Sequence, residues 1–139
     1  MNKEIYNYEN DFPSELITLN LIEPVINDVR KHTNISEDVY HNIMISVTEA
    51  INNAVIHGNK FDKSKKVHIS IKVNSKFIYI NVSDQGKGFD PSSIPDPTQG
   101  DNIYKESGRG VFLMNELSES TEFVITNKGT TVKLKFPCK

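Results

Sequence analysis

The sequence holds a single cysteine, no tryptophan and no apolar run of membrane-spanning length. One thiol cannot close an internal disulfide, and no metal cluster can be built around it. Cys138 stands one residue from the C-terminus, without the organised electropositive setting that activates a catalytic thiol. The opening MNKEIYNYEND lacks the apolar heart of a secretion signal, so a cytoplasmic protein with no membrane partner is expected. An excess of charge is lacking too: 16 Lys and Arg face 18 Asp and Glu, for a net charge of -2. That balance offers no electrostatic footprint for nucleic acid, and no direct nucleic-acid partner is expected. The run Lys63-Ser64-Lys65-Lys66 reads as a solvated loop face.

What is present fits one domain spanning 1–139, large enough to bury a sizeable core. KEIYNYEND alternates weakly, as an edge strand does. FPSELITLNLIEPVINDVRKH follows with Leu16, Leu19, Ile22, Val25, Ile26 and Val29 at helical spacing. Pro13 and Ser14 suit its start, and Pro24 predicts a kink or a split into two helices. The next helix opens on Ser36 as N-cap with Glu37 and Asp38 in its first turn. Its end is expected at His57-Gly58-Asn59, with a C′ glycine.

KKVHISIKV and FIYINVS alternate with period two around Asn74-Ser75-Lys76, which predicts an antiparallel hairpin. The pattern then dissolves through QGKGFDPSSIPDPTQGDNIYKESGRG. So long a stretch without pattern inside a small domain is usually a functional lid or a disordered link. VFLMNELSES restores a short helix, and TEFVITNKGTTVKLKF closes as two strands around Asn127-Lys128-Gly129. This order predicts an α+β two-layer sandwich, a mostly antiparallel mixed sheet with helices on one face.

Three short motifs carry the chemistry. In TEAINNAVIHGN, Glu49, Asn53 and His57 stand at i, i+4 and i+8 and share one helical stripe. Ile45 and Ile56 flank it, which argues that the stripe does not face open water. A carboxylate one turn from an amide suits a metal-and-substrate site, although the same pair occurs on many solvent-facing helices. In SDQGKGFD, Asp84 ends a strand, and Gly86 and Gly88 permit close backbone approach; alone, this also fits a tight turn. In GRGVFLM, Gly108, Arg109 and Gly110 precede a helical run whose first N–H groups could face an anion, or they form a flexible loop. No P-loop sequence occurs.

Taken in order, the motifs resemble the ATPase domain shared by gyrase, heat-shock chaperones, histidine kinases and mismatch-repair proteins (the Bergerat fold). The closest resemblance is to the small bacterial anti-sigma factor serine kinases, over nearly the whole chain. EAINNAVIHGN matches the N box, DQGKGFD the first glycine box and GRGVFLM the second. The resemblance implies ATP and Mg²⁺ as cofactors. It makes Glu49 the general base, Asn53 the Mg²⁺ ligand and Asp84 the acceptor of the adenine amino group. Gly86 and Gly88 would shape the floor of the site, Gly108, Arg109 and Gly110 would close on the phosphates, and Thr130 would lie near the adenine. A lid over about residues 90–110 is expected, anchored by Ile94, Ile103 and Tyr104.

On this resemblance the chain is expected to be a protein-serine kinase acting on an anti-anti-sigma-type partner. Sequestration of a sigma factor and a homodimer are implied with it. No histidine-phosphotransfer segment is expected ahead of the domain, so a complete sensor kinase is not expected, and His57 is not read as a phosphoacceptor. The competing reading is a non-catalytic nucleotide-binding partner-switch module; retention of Glu49 favours the enzyme.

Overall fold

The computed structural model describes residues 5–86 and 106–138. Gly88, most of the expected lid and its anchors Ile94, Ile103 and Tyr104 lie outside the described residues. The elements run β1 (Tyr6–Pro13), α1 (Thr18–Lys31), α2 (Glu37–Asn52), a π-helical turn (Asn53–Gly58), β2 (Lys66–Val73), β3 (Phe77–Ser83), α3 (Glu106–Leu117), β4 (Ser120–Thr126) and β5 (Gly129–Pro137). The five strands form one sheet in the order β1-β2-β3-β5-β4. Every pairing among them is antiparallel.

Alternation decides which sheet face is covered. Val67, Ile69, Ile71 and Val73 of β2, Ile78, Ile80 and Val82 of β3, and Val132, Leu134 and Phe136 of β5 are buried. They pack with Ile22, Ile26 and Val29 of α1, Ile43, Val47 and Ile51 of α2, and Met114 of α3 in one core. Residues between them, such as Lys72, Tyr79 and Lys133, lie exposed on the open face. The expected two-layer α+β arrangement is observed, with the weakly alternating N-terminal segment as edge strand β1.

Several local expectations are corrected. Pro13 and Ser14 do not start the first helix: β1 runs through Pro13, which an edge strand tolerates. The helix begins only at Thr18, and Leu16 is left exposed. Pro24 does not split α1, which continues to Lys31. Proline inside a helix costs about 3 kcal/mol. Burial of Ile22, Ile26 and Val29 outweighs it, at about 1.5–3 kcal/mol for each aliphatic side chain.

The second helix also ends differently. Ser36 caps it as expected, accepting from the Val39 N–H at 3.1 Å. Beyond Asn52 the chain widens into the π turn, and Asn59 rather than Gly58 is the cap. The left-handed residues are Lys60 (φ 52°) and Phe61 (φ 59°), so Gly58 is not a C′ glycine. Its reason lies in the site. Finally, α3 already includes Gly108, Arg109 and Gly110, which therefore open a helix rather than precede one.

Candidate functional site

Asp84 follows β3 directly and is 7% exposed. Its backbone N–H donates to the Thr130 carbonyl at 2.9 Å. Its Oδ1 accepts from the N–H groups of Gly86 at 3.0 Å and Thr130 at 3.2 Å. Burial pushes the carboxyl above the ordinary carboxylate range, while those two N–H groups and Lys65 oppose the shift. Oδ2 lies beside Gly58, where an added Cβ would overlap the Asp84 carboxylate. That is why residue 58 is glycine. The N box and the first glycine box thus touch through Gly58 and Asp84, and Gly86 packs so closely on the Gly58 carbonyl that a Cβ there would also collide.

Thr130 enters from β5, 2% exposed, and its Oγ1 finds no partner among the described residues. A buried hydroxyl without a partner costs about 1–3 kcal/mol. Beside a buried carboxylate, a polar ligand group could satisfy it.

Asn53 begins the π turn, 5% exposed, and its Nδ2 also lacks a partner among the described residues. One turn earlier, Glu49 is half-buried. Its cover comes from α3: a Cβ on Gly110 would stand 2.7 Å from Glu49 Oε2. Ile45, expected to shield the stripe, is itself 42% exposed. The stripe stops at Asn53, because the π turn changes the helical phase and leaves His57 exposed. Arg109 is exposed on the first turns of α3. Four N–H groups at a helix start have no intrahelical partner, so those of residues 106–109 could face an anion.

The residues brought together are therefore Asp84, Gly86 and Thr130 at one end, and Glu49, Asn53 and Gly110 at the other. α2 and its π turn connect them through Gly58. Two participants were not singled out from sequence: Gly58, and Asn59, whose side chain meets the segment after Asp84. Both lie within the quoted N-box stretch, where they read as a helix stop.

The chemistry fits Mg²⁺-nucleotide. An amide presents an oxygen and a nitrogen, so Asn53 can serve a metal or phosphate oxygens without adding charge. Among the described residues no cluster of three His, Cys, Asp or Glu side chains could hold a metal by itself. A magnesium ion that keeps waters and is held mainly by phosphate oxygens needs no such cluster.

Residues 12–136 match the family of histidine kinase-like ATPase domains. The chain belongs to that family. It is 33% identical over 93 residues to the anti-sigma F factor of Anoxybacillus flavithermus, covering 63% of this chain and 62% of that protein. It is 29% identical over 133 residues to the serine-protein kinase RsbW of Bacillus licheniformis, covering 89% of this chain and 81% of that one. The chain thus spans less than two thirds of the first relative and most of the second. The crystal structure of the RsbU and RsbW domains of Rv1364c from Mycobacterium tuberculosis shares the fold, with a TM-score of 0.69 at 13% identity, over 94% of this chain and 32% of that one.

Proposed function

We propose that this chain is an Mg²⁺-ATP-dependent protein-serine kinase that modifies a small anti-anti-sigma-type partner and holds a sigma factor in a nucleotide-dependent switch. The observation that carries this reading is the buried Asn53 amide, its Nδ2 unpartnered among the described residues, one turn from the half-buried Glu49. A phosphate oxygen of the nucleotide would accept from the first, leaving the amide oxygen for the metal, and an acceptor hydroxyl would give the second its work. The names of the relatives, an anti-sigma F factor and a serine-protein kinase, support the same reading.

In this scheme Asp84 accepts a hydrogen bond from the adenine amino group, and Thr130 bonds the base or a water beside it. Asn53 would hold Mg²⁺, which when bound neutralises charge on the phosphates. Glu49 takes the proton from the serine hydroxyl as the hydroxyl oxygen bonds to the γ-phosphorus and the bond from that phosphorus to the β-phosphate oxygen breaks, with ADP as the leaving group. Gly86 and Gly88 line the floor, while Gly108, Arg109 and Gly110 offer N–H groups and a guanidinium to the phosphates. Among the described residues no helix is long and apolar enough to cross a membrane. A cytoplasmic homodimer completes the proposal.

The test is incubation with γ-labelled ATP and a purified anti-anti-sigma-type protein, followed by phosphoserine mapping. Label on one partner serine is expected. Tight Mg²⁺-ATP binding with no transfer to any such partner would leave a nucleotide-dependent docking module instead.

A further inference from the structure

We infer that Asn59 is a positioning residue for nucleotide recognition, acting through the Asp84-Gln85-Gly86 segment; the inference rests on the adenine role proposed for Asp84. Asn59 is 1% exposed, and its side chain is engaged on both ends. Oδ1 accepts from the Gln85 N–H at 2.7 Å. Nδ2 donates to Ser14 Oγ at 2.7 Å and to the Lys66 carbonyl at 3.0 Å. The Ser14 hydroxyl donates in turn to the Lys65 carbonyl at 2.8 Å. The Lys66 N–H returns to Gln85 Oε1 at 2.6 Å, so Gln85 is gripped by both its backbone and its side chain.

Asn59 and its neighbour therefore approach Asp84 from two directions. Gly58 makes room for Oδ2, and Asn59 holds the peptide that follows Asp84. The Gly86 N–H, one residue further, is a donor to Oδ1. Loss of the Gln85 anchor would free Gly86 to move and so loosen the orientation of the carboxylate. An acceptor must be held within a fraction of an ångström to discriminate one base from another. Ser14, 45 residues away in sequence, bonds only the Nδ2 end of Asn59, whereas the Oδ1 end alone meets the segment after Asp84.

The matched pair of variants is Asn59→Ala and Ser14→Ala. The first removes the Gln85 anchor. The second removes one partner of Nδ2 and leaves both the Lys66 and Gln85 bonds. Asn59→Ala is expected to raise the Kd for ATP about tenfold, the scale of one lost buried hydrogen bond with its consequences. It should also speed amide exchange at Gln85, Gly86 and Thr130. Ser14→Ala should lower Tm while ATP affinity and those amides stay at wild-type values. In an Asp84→Asn background, Asn59→Ala should cost little further affinity, because both act through one group.

Equal loss of affinity in both variants, or unchanged affinity in Asn59→Ala, would overturn the positioning role. If Asn59→Ala does not fold, the wild type still decides. Gln85 is exposed as a residue, yet its amide should exchange as slowly as sheet amides. Fast exchange there overturns the inference. A wild type that binds no ATP refutes the proposed function instead, and the amide pattern in the variants still tests the anchor.

Discussion

Gly58 stands against the carboxylate of Asp84, and a Cβ at residue 58 would overlap that group and come within 3.0 Å of the Asp84 Cβ. The whole Asp84 side chain, and not just its tip, would have to move. Asp84 is also pinned by the Gly86 and Thr130 N–H groups, so it has nowhere to go. Gly58→Ala should therefore lose about 1–3 kcal/mol of stability, the usual cost of overpacking. ATP affinity should fall with it. Urea denaturation and nucleotide titration measure the two; wild-type values in both would mean the contact yields freely.

Asp84→Asn should separate stability from binding. Because burial raises the carboxyl pKa in the folded chain, the native state takes up this proton more readily than the unfolded one. The stability that proton contributes is complete at low pH and is lost as pH rises through the raised native pKa. At neutral pH the ionised group is thus a burden, and an asparagine still offers an oxygen to Gly86 and Thr130. Asp84→Asn should raise Tm at neutral pH, with the gap closing towards acid. It should weaken ATP binding roughly tenfold or more and blunt preference over GTP, since charge-assisted hydrogen bonds contribute about 1.5–3 kcal/mol. In the wild type, affinity should begin to fall in acid at a higher pH than an ordinary aspartate would give. Thermal scans and ATP–GTP competition across pH check each sign.

The strands were legible because burial follows period two: Val67, Ile69, Ile71 and Val73 all face the core. Ser36 was legible because capping is local. The role of Asn59 was not, because its partners Ser14 and Gln85 lie 45 and 26 residues away. Gly58 read as a helix stop for the same reason: the sequence shows a glycine but not the Asp84 side chain that requires it. Pro24 did not split the helix because helix propensity is a local cost, whereas burial of Ile22 and Ile26 is a tertiary gain. The candidate site residues Glu49, Asn53, Asp84 and Thr130 were proposed through family resemblance; the π turn that sets Asn53 apart from His57 could not be read from it.

Asn53→Ala should weaken Mg²⁺-ATP more than metal-free ATP, because the amide would act through the metal. Its buried Nδ2 has no partner among the described residues, so the substitution strands no acceptor there. Stability should change little or even rise. Calorimetric titration with and without Mg²⁺ makes the comparison; equal losses in both would assign Asn53 to the fold rather than the metal.

Glu49→Gln should lower phosphotransfer about 10²–10⁴-fold, the usual contribution of a general base. Shape and polarity are nearly conserved, so ATP affinity should remain. Single-turnover transfer at saturating ATP reads the chemical step, and full activity would remove Glu49 from it.

Gly110→Ala offers a test of the same step from the other helix. The added Cβ would stand 2.7 Å from Glu49 Oε2 but 3.6 Å from both Glu49 Cβ and Cδ. Only the far end of a flexible side chain must move, unlike the clash at Gly58. Alanine also gains about 1 kcal/mol over glycine inside a helix such as α3. The variant should thus be as stable as the wild type or more so. Glu49 Oε2, however, is pushed from its place, and a misplacement of about 1 Å can cost a reaction about 100-fold. Phosphotransfer should fall at least tenfold with ATP affinity preserved. A stable Gly110→Ala protein with full transfer would show that the carboxylate position set by α3 is not the one that matters for proton removal.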